Sequence, residues 1–158
     1  MKHNFILCPC GSKQDYVRCC GRYIEVGELP QCPEQLMRSR YTAYVAYDKD
    51  YLLQTWHMDT RPAQLEVERE INWLSLEIIY CQDGSHNANV NEGYVEFIAR
   101  YTNNGRTLML HELSRFRCEN KQWFYVDGKI FSQPASEKTS RNALCPCGSG
   151  KKFKRCRG

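Results

Sequence analysis

Apolar residues early in the middle of the chain recur with the period of an α-helix. Pro33 suits the first turn of such a helix, because its missing amide donor is not needed there. The residues that then share one helical face are Met37, Tyr41, Tyr44 and Val45. This pattern predicts a helix that packs one side against a core.

Two shorter helical patterns follow. We expect one at 51–57, where Asp48 or Asp50 can cap the first turn with its side chain. We expect the other at 63–71, where Pro62 can sit at the first turn. The sequence therefore predicts three helices in succession.

The hydrophobic period changes to two after residue 73, as on strands with one covered face. The predicted strands are 74–80, 94–102, 107–118 and 123–127. The run Asn103-Asn104-Gly105 is typical of a tight hairpin turn. Helices followed by an antiparallel meander predict an α+β fold, with three helices packed on a curved antiparallel sheet.

Composition agrees with a folded domain, and the N-terminal segment indicates where in the cell to expect the protein. Hydrophobic residues make up 42% and aromatic residues 12% of the chain, enough for a packed core. No run approaches the roughly 20 apolar residues of a membrane span. The segment before Cys8 is too short for the core of a signal peptide, so we expect a cytoplasmic protein.

Charge is concentrated at the two ends of the chain. The formal net charge is +4, with +3 in residues 1–22, +6 in residues 141–158 and −5 in the remainder. The last 18 residues contain no acidic side chain. The basic surface predicted there suits an acidic protein, a nucleic acid or an anionic lipid. A solvated basic tail without a partner is the alternative.

Six of the ten cysteines fall into two copies of one spacing: Cys-x-Cys, eight residues, Cys. In the first copy the three cysteines are followed by a fourth, so the complete set is Cys8, Cys10, Cys19 and Cys20. Four thiolates at short spacing are the ligand set of a tetrahedral structural Zn²⁺ site. In a secreted chain such cysteines would instead suggest disulfides, but clustered cysteines in a reducing cytosol more often bind metal. We therefore predict one structural Zn²⁺ in the N-terminal copy.

The residues between the first-copy cysteines also have predicted roles. Gly11 permits a tight reversal, Ser12 can cap the segment that follows, and Tyr16 can pack beneath the metal. So short a module lacks a core of its own, and its folding should depend on metal binding. We expect Cys10→Ser to unfold residues 1–22 while the middle of the chain keeps its structure.

The second copy is incomplete. Its cysteines are Cys145, Cys147 and Cys156, but Arg157 stands where the fourth cysteine would be. A guanidinium stays protonated and offers no lone pair to a metal. The fourth position must be filled by water, the carboxylate of Gly158 or a residue from elsewhere, or stay open. The sequence predicts that zinc at this copy is weakly bound or absent.

Both copies resemble the SEC-C motif, the zinc-binding element at the C-terminus of the bacterial secretion motor SecA. The resemblance lies in the Cys-Pro-Cys-Gly-Ser opening and in the cysteine spacing. The middle of the chain resembles the nuclear-transport-factor-2-like (NTF2-like) fold, also called cystatin-like. Together they are similar to the YchJ family of bacterial proteins, notably at residues 36–41, 51–57 and 112–116.

This resemblance implies three units: a SEC-C zinc module at 1–22, an NTF2-like domain at 31–131 and a second SEC-C module at 141–158. It also implies docking, since the SEC-C motif of SecA is implicated in binding the chaperone SecB, and related elements associate with phospholipid and ribosomes. Our first hypothesis is a non-enzymatic adaptor that docks on an export chaperone, a ribosome or an anionic surface, with RNA contacted only within a ribosome. The residues expected to make contact are Lys151, Lys152, Lys154 and Arg155.

The second hypothesis is a small enzyme or ligand-binding protein that uses a central pocket. The two-residue period places Glu112 on the same strand face as the apolar Phe116, which we expect in the core. A buried carboxylate needs a partner, which Arg38 or Arg40 could supply. Glu112 and His57 are the candidates for acid and base chemistry, with Arg38 as a third candidate.

The structural alternative for the same residues is a buried Glu–Arg pair and a histidine held at a helix end. We favour it, because no Ser/His/Asp order, phosphate loop or paired-carboxylate motif accompanies Glu112.

Overall fold

The structure is a computed structural model that describes residues 2–83 and 91–131. Its helical elements are a 3₁₀ turn (Tyr16–Arg18), α1 (Gly21–Ile24), α2 (Pro33–Val45) and α3 (Lys49–Gln54). Its strands are β1 (Asn72–Gln82), β2 (Glu92–Asn103), β3 (Arg106–Glu119) and β4 (Gln122–Ile130). The strands form one antiparallel sheet in the order β1-β2-β3-β4. The predicted α+β class with an antiparallel meander is confirmed, and all four strands are longer than the hydrophobic pattern indicated.

The β2–β3 hairpin turns where the sequence predicted. Asn104 and Gly105 both have positive φ, 51° and 76°, as a two-residue turn that matches strand twist requires. The turn sets a register in which Phe97 on β2 pairs with Glu112 on β3. Directly paired residues point to the same face, so Glu112 lies on the apolar side of the sheet, as the two-residue period indicated.

Helix α2 covers that apolar side. Its buried residues Leu36, Met37 and Tyr41 join one cluster with strand residues such as Val95 and Phe97. Pro33 is at the start of the helix, as predicted. The domain is therefore a two-layer arrangement in which one long helix packs on the sheet.

The second predicted helix is confirmed with a shift of its end. Asp48 is the N-cap of α3, and its carboxylate accepts a hydrogen bond from the amide of Tyr51 at 3.0 Å. The helix ends at Gln54, before His57. None of the helices in the described part of the chain is long and apolar enough to cross a membrane.

The third predicted helix, at 63–71, does not form, and this prediction was wrong. The segment has no regular structure. Leu65 and Val67 both pack against the same small cluster around Tyr51 and Leu52. Residues two apart lie on one side of an extended chain but on different sides of a helix, so burial of both favours the extended path. The third α-helical segment of the described chain is instead α1, for which the hydrophobic pattern predicted no helix.

Candidate metal centre

Four cysteine sulfurs meet at one point beside α2. The ligand atoms of Cys8, Cys10, Cys19 and Cys20 all lie within 4.8 Å of one another. The Sγ of Cys19 is 3.6 Å from that of Cys10 and 3.9 Å from that of Cys20. Four sulfurs about 2.3 Å from a tetrahedral metal would be about 3.8 Å apart. The cluster therefore has the size of a tetrahedral thiolate site.

A short reversal brings the first two cysteines together. An isolated bridge joins Leu7 to Asp15, and the amide of Cys8 donates to the carbonyl of Gln14 at 2.8 Å. Between them Gly11 has φ +81°, a backbone conformation that residues other than glycine rarely adopt. The predicted role of Gly11 is confirmed, because its left-handed backbone lies in the reversal, together with that of Lys13 at φ 64°.

The 3₁₀ turn positions the last two cysteines of the cluster. The amide of Cys19 donates to the carbonyls of Asp15 and Tyr16 at 3.0 and 3.1 Å, which directs Cys19 and Cys20 back towards the first pair. Tyr16 is fully buried beneath the cluster, as predicted, and its hydroxyl donates to Glu25 at 3.2 Å. The sequence pattern did not identify Glu25, whose carboxylate also accepts hydrogen bonds from the amides of Lys2 and His3.

Ser12 contacts a sulfur, and its hydroxyl also accepts a hydrogen bond from the amide of Gln14 in the segment that follows, at 3.3 Å. Its Oγ is 3.2 Å from the Sγ of Cys19. Asp15 is the N-cap of the 3₁₀ turn and makes no side-chain capping bond. A hydroxyl at this distance can donate to a thiolate and stabilise its negative charge, so Ser12 belongs to the surroundings of the metal ligands.

Three of the four thiols differ in pKa. Hydrogen bonds from Cys20 and Cys8 lower the pKa of the Cys10 thiol far below its usual value. Donation to Cys10, together with burial, raises the pKa of Cys8 to about 11 and also raises that of Cys20. Without a metal these hydrogen bonds therefore favour negative charge at Cys10 over Cys8 and Cys20. A dication would replace those protons and let all four sulfurs ionise.

The donor set fits a metal ion that prefers sulfur. All four ligands are thiols, three are buried, and Cys19 is partly exposed. Four protein ligands at tetrahedral spacing complete the coordination shell and leave no position for a substrate. The arrangement is suited to holding the chain together and is unsuited to metal catalysis.

The cluster is part of the main core rather than of a separate module. Cys8, Cys10, Cys20 and Tyr16 belong to the same buried cluster as residues of α2 and of the sheet. The Sγ of Cys8 is 3.7 Å from the hydroxyl of Thr42 on α2. The expectation that this copy folds as a self-contained unit does not match its packing.

Arg38 lies beside the cysteine cluster and not beside Glu112. Its Nη1 donates to the carbonyl of Cys10 at 2.9 Å, and its Nε donates to Glu34 at 3.0 Å. The prediction that Arg38 could serve the central pocket is therefore corrected. Arg38 and Thr42 are four residues apart on one helical face, and this spacing was the signal in the sequence that could have placed both against the cysteines.

The other pocket candidates are not brought together either. Glu112 lines a cavity between α2 and the sheet, with Arg40. His57 lies outside that lining: its Nε2 is 2.7 Å from Glu119, and its Nδ1 accepts from the amide of Asp59 at 3.2 Å. Acid and base chemistry shared by Glu112 and His57 has no support in this geometry. His57 is a buried histidine held just after α3, which is the structural alternative.

The candidate residues of the second cysteine copy lie outside the described ranges. They are Cys145, Cys147, Cys156, Lys151, Lys152, Lys154 and Arg155. Their predicted roles stay predictions.

Comparison with known proteins identifies the middle and the end of the chain. The family model described as the middle NTF2-like domain of YchJ matches residues 32–128, and the SEC-C motif matches residues 141–156.

Two solved structures of SEC-C motif containing proteins are similar to this chain. One, from Rhodopseudomonas palustris, is 31% identical with a TM-score of 0.70, covering 80% of this chain and 99% of its own. The other, from Psychrobacter arcticus, is 28% identical with a TM-score of 0.61, covering 95% of this chain and 94% of its own. Since the match to the YchJ middle domain spans more than half of the sequence, the protein belongs to the YchJ family.

Proposed function

We propose that this protein is a zinc-stabilised cytoplasmic adaptor whose SEC-C modules dock on a partner macromolecule. The observation that carries the proposal is the closed cluster of four cysteine sulfurs within 4.8 Å of one another. Thiolates are the ligands that Zn²⁺ takes in structural sites, and a complete shell excludes catalysis at the metal. Residues 1–22 and 141–158 are then zinc modules on either side of a middle domain at 31–131.

The surface around the first module supports docking. Ile6, Leu7 and Val17 are 86%, 60% and 49% exposed, although all three are apolar. The bridge from Leu7 to Asp15 and the hydrogen bond from the amide of Tyr16 to the carbonyl of Ile6 hold these segments side by side. Exposed apolar side chains on neighbouring segments of a basic module are compatible with a protein–protein contact site.

The chemistry of the partner follows from charge. The first 22 residues carry +3 and the last 18 carry +6, so both modules favour an acidic surface. An export chaperone with an acidic face or a ribosome offers such a surface, and RNA contacts would be made within the ribosome. Lys151, Lys152, Lys154 and Arg155 are the residues proposed to make these contacts.

Affinity capture from cytosol at low and moderate salt tests the proposal. The first variant changes Lys151, Lys152 and Lys154 to Gln. The matched control changes Lys49, Lys121 and Lys129 of the middle domain to Gln, so that both lose three lysine charges. We expect the first variant to lose an export chaperone or ribosomes and the control to retain them. Equal capture by both variants would contradict docking through the C-terminal module.

A second pair of variants tests the apolar patch. Replacing Ile6 and Val17 by Ser removes exposed apolar surface near the metal without touching a cysteine. Replacing the exposed Met58 and Ile130 by Ser is the control, because these side chains are 76% and 59% exposed elsewhere on the domain. We expect only the first pair to weaken capture. Zinc content of both variants should equal that of the natural chain.

A further inference from the structure

A cavity lies between α2 and the apolar face of the sheet, apart from the metal centre. Its volume is about 250 Å³. The lining residues are Met37, Arg40, Tyr41, Tyr44, Trp73, Phe97, Ala99, Leu110, Glu112, Ser114 and Tyr125. An apolar cavity of about 150 Å³ holds a benzene molecule, so this cavity has room for one aromatic ring with a small substituent.

Aromatic side chains form one wall of the cavity. The ring of Trp73 lies 5.8 Å from that of Tyr41 in an edge-to-face contact and 6.0 Å from that of Tyr44. Rings arranged in this way offer a large apolar surface at little cost in side-chain entropy. A flat, apolar ligand would bury its ring against them.

A carboxylate stands among these apolar residues. Glu112 accepts hydrogen bonds from the hydroxyl of Ser114 at 2.8 Å and from that of Tyr125 at 3.4 Å, both at Oε1. An ionised carboxylate has about four acceptor positions, so two donors leave capacity for a third. Gly128 on β4 makes the space for this side chain, because a Cβ there would overlap the Glu112 carboxylate.

A buried arginine balances the charge of Glu112. Arg40 is 3% exposed, and its Nη1 donates to the carbonyl of Leu52 and the hydroxyl of Thr55, each at 2.7 Å. The guanidinium carbon lies 4.6 Å from the centre of the Tyr125 ring, whose hydroxyl contacts Glu112. Burial lowers the pKa of Arg40, but a guanidinium remains protonated at neutral pH. The lining of the cavity therefore carries one positive and one negative charge.

We propose that this cavity binds a small uncharged molecule with an aromatic or similarly flat apolar body and one hydroxyl group that donates a hydrogen bond to Glu112. The ring packs against Tyr44 and Trp73. The hydroxyl must act as the donor, because an ionised carboxylate only accepts. A charged ligand would leave one net charge in a site of low dielectric constant, which is costly when no partner neutralises it.

Four matched probes separate these requirements: benzyl alcohol, toluene, benzylamine and benzoate. They share one ring and differ in the group that would meet Glu112. Titration of the full-length zinc-loaded protein, followed by amide NMR shifts on β2 and β3, measures binding. We expect benzyl alcohol to bind about tenfold more tightly than toluene, since a hydrogen bond to a charged group is of that strength. Benzylamine and benzoate should both bind more weakly than benzyl alcohol.

The substitution Glu112→Gln should change the preferred ligand from an uncharged molecule to an anion. It retains a side chain of the same shape and leaves Arg40 as the net charge of the cavity. Benzoate should gain at least about tenfold in affinity, while the advantage of benzyl alcohol over toluene shrinks. Glu96→Gln is the matched control, because Glu96 lies on β2 with its carboxylate 2.7 Å from His111 and outside the cavity lining. It should leave the affinities of all four probes unchanged.

Ala99→Leu gives an independent test by filling the cavity, since Ala99 is buried in its wall. All probes should lose binding in this variant. If Ala99→Leu fails to fold, the gain in benzoate affinity expected for Glu112→Gln still tests the proposal. Equal binding of toluene and benzyl alcohol, tighter binding of either charged probe to the natural chain, or no cavity-lining shifts with any probe would overturn the proposal.

Discussion

Arg38 on α2 donates a hydrogen bond from Nη1 to the main-chain carbonyl of Cys10, at 2.9 Å. The bond joins the longest helix of the domain to the middle of the cysteine cluster. Glu34, one turn earlier on the same helix, holds the guanidinium in place at 3.0 Å. The cysteine cluster is consequently attached to the helix that covers the sheet, so its disruption should destabilise the whole domain.

Removing the metal should destabilise the middle of the chain as well as the N-terminal segment. We expect Cys10→Ser, or a strong chelator, to lower the free energy of unfolding by about 3 kcal/mol or more and the melting temperature by roughly 10 °C or more. Hydrogen exchange should show lost protection at Val95 and Phe97 together with Tyr16, because all three belong to one core cluster.

Cys118→Ser is the control for that experiment, since Cys118 packs at the edge of the core and is outside the four-sulfur cluster. It should keep the metal and cost far less stability. Loss of protection confined to residues 2–25 in Cys10→Ser would instead support a self-contained N-terminal module.

Arg38→Met should weaken zinc binding without removing a ligand. The substitution keeps much of the apolar stem but loses the hydrogen bond to the Cys10 carbonyl. Groups that orient metal ligands in this way contribute about tenfold or more to affinity. Competition with a chromogenic chelator measures the change. Arg100→Met is the control, because Arg100 pairs with Glu77 at 3.1 Å, away from the cluster. The zinc affinity of this variant should equal that of the natural chain.

Zinc affinity at the N-terminal site should fall steeply in acid. The pKa of Cys8 is raised to about 11 and that of Cys20 is also raised, so both thiols carry protons at pH 7 when no metal is bound. Binding must release at least these two protons, and the logarithm of the affinity should therefore rise by about two per pH unit near neutrality. Calorimetry in buffers of different ionisation enthalpy counts the protons. Release of fewer than one proton at pH 7 would contradict this account.

The second cysteine copy should bind zinc more weakly than the first. Cys145, Cys147 and Cys156 supply three thiolates, and Arg157 brings a positive charge where the fourth would stand. We expect this site to lose zinc first to a chelator or to be empty as isolated, and Arg157→Cys to restore tight binding. Metal content at increasing chelator concentration tests it. Two equally retained ions in the natural chain, unchanged by Arg157→Cys, would show that another ligand already completes the site.

Local spacing was sufficient to predict the four-cysteine cluster and the main elements. The four cysteines of the first copy are close along the chain, so one glycine turn and one 3₁₀ turn bring their sulfurs together. The Asn104–Gly105 hairpin, the helix that begins at Pro33 and the inward position of Glu112 likewise depend on periods of two to four residues. Such features follow from backbone geometry, which each short segment carries in its own sequence.

Tertiary packing determined which residues from distant segments are in contact. It placed Arg38 and Thr42 against the cysteines, and His57 against Glu119 rather than Glu112. It also left 63–71 without a helix, with Leu65 and Val67 both partly buried against one cluster. In each case several partners were compatible with the local sequence. The choice depended on which surface the folded core left available, and that surface exists only once α2 has packed on the sheet.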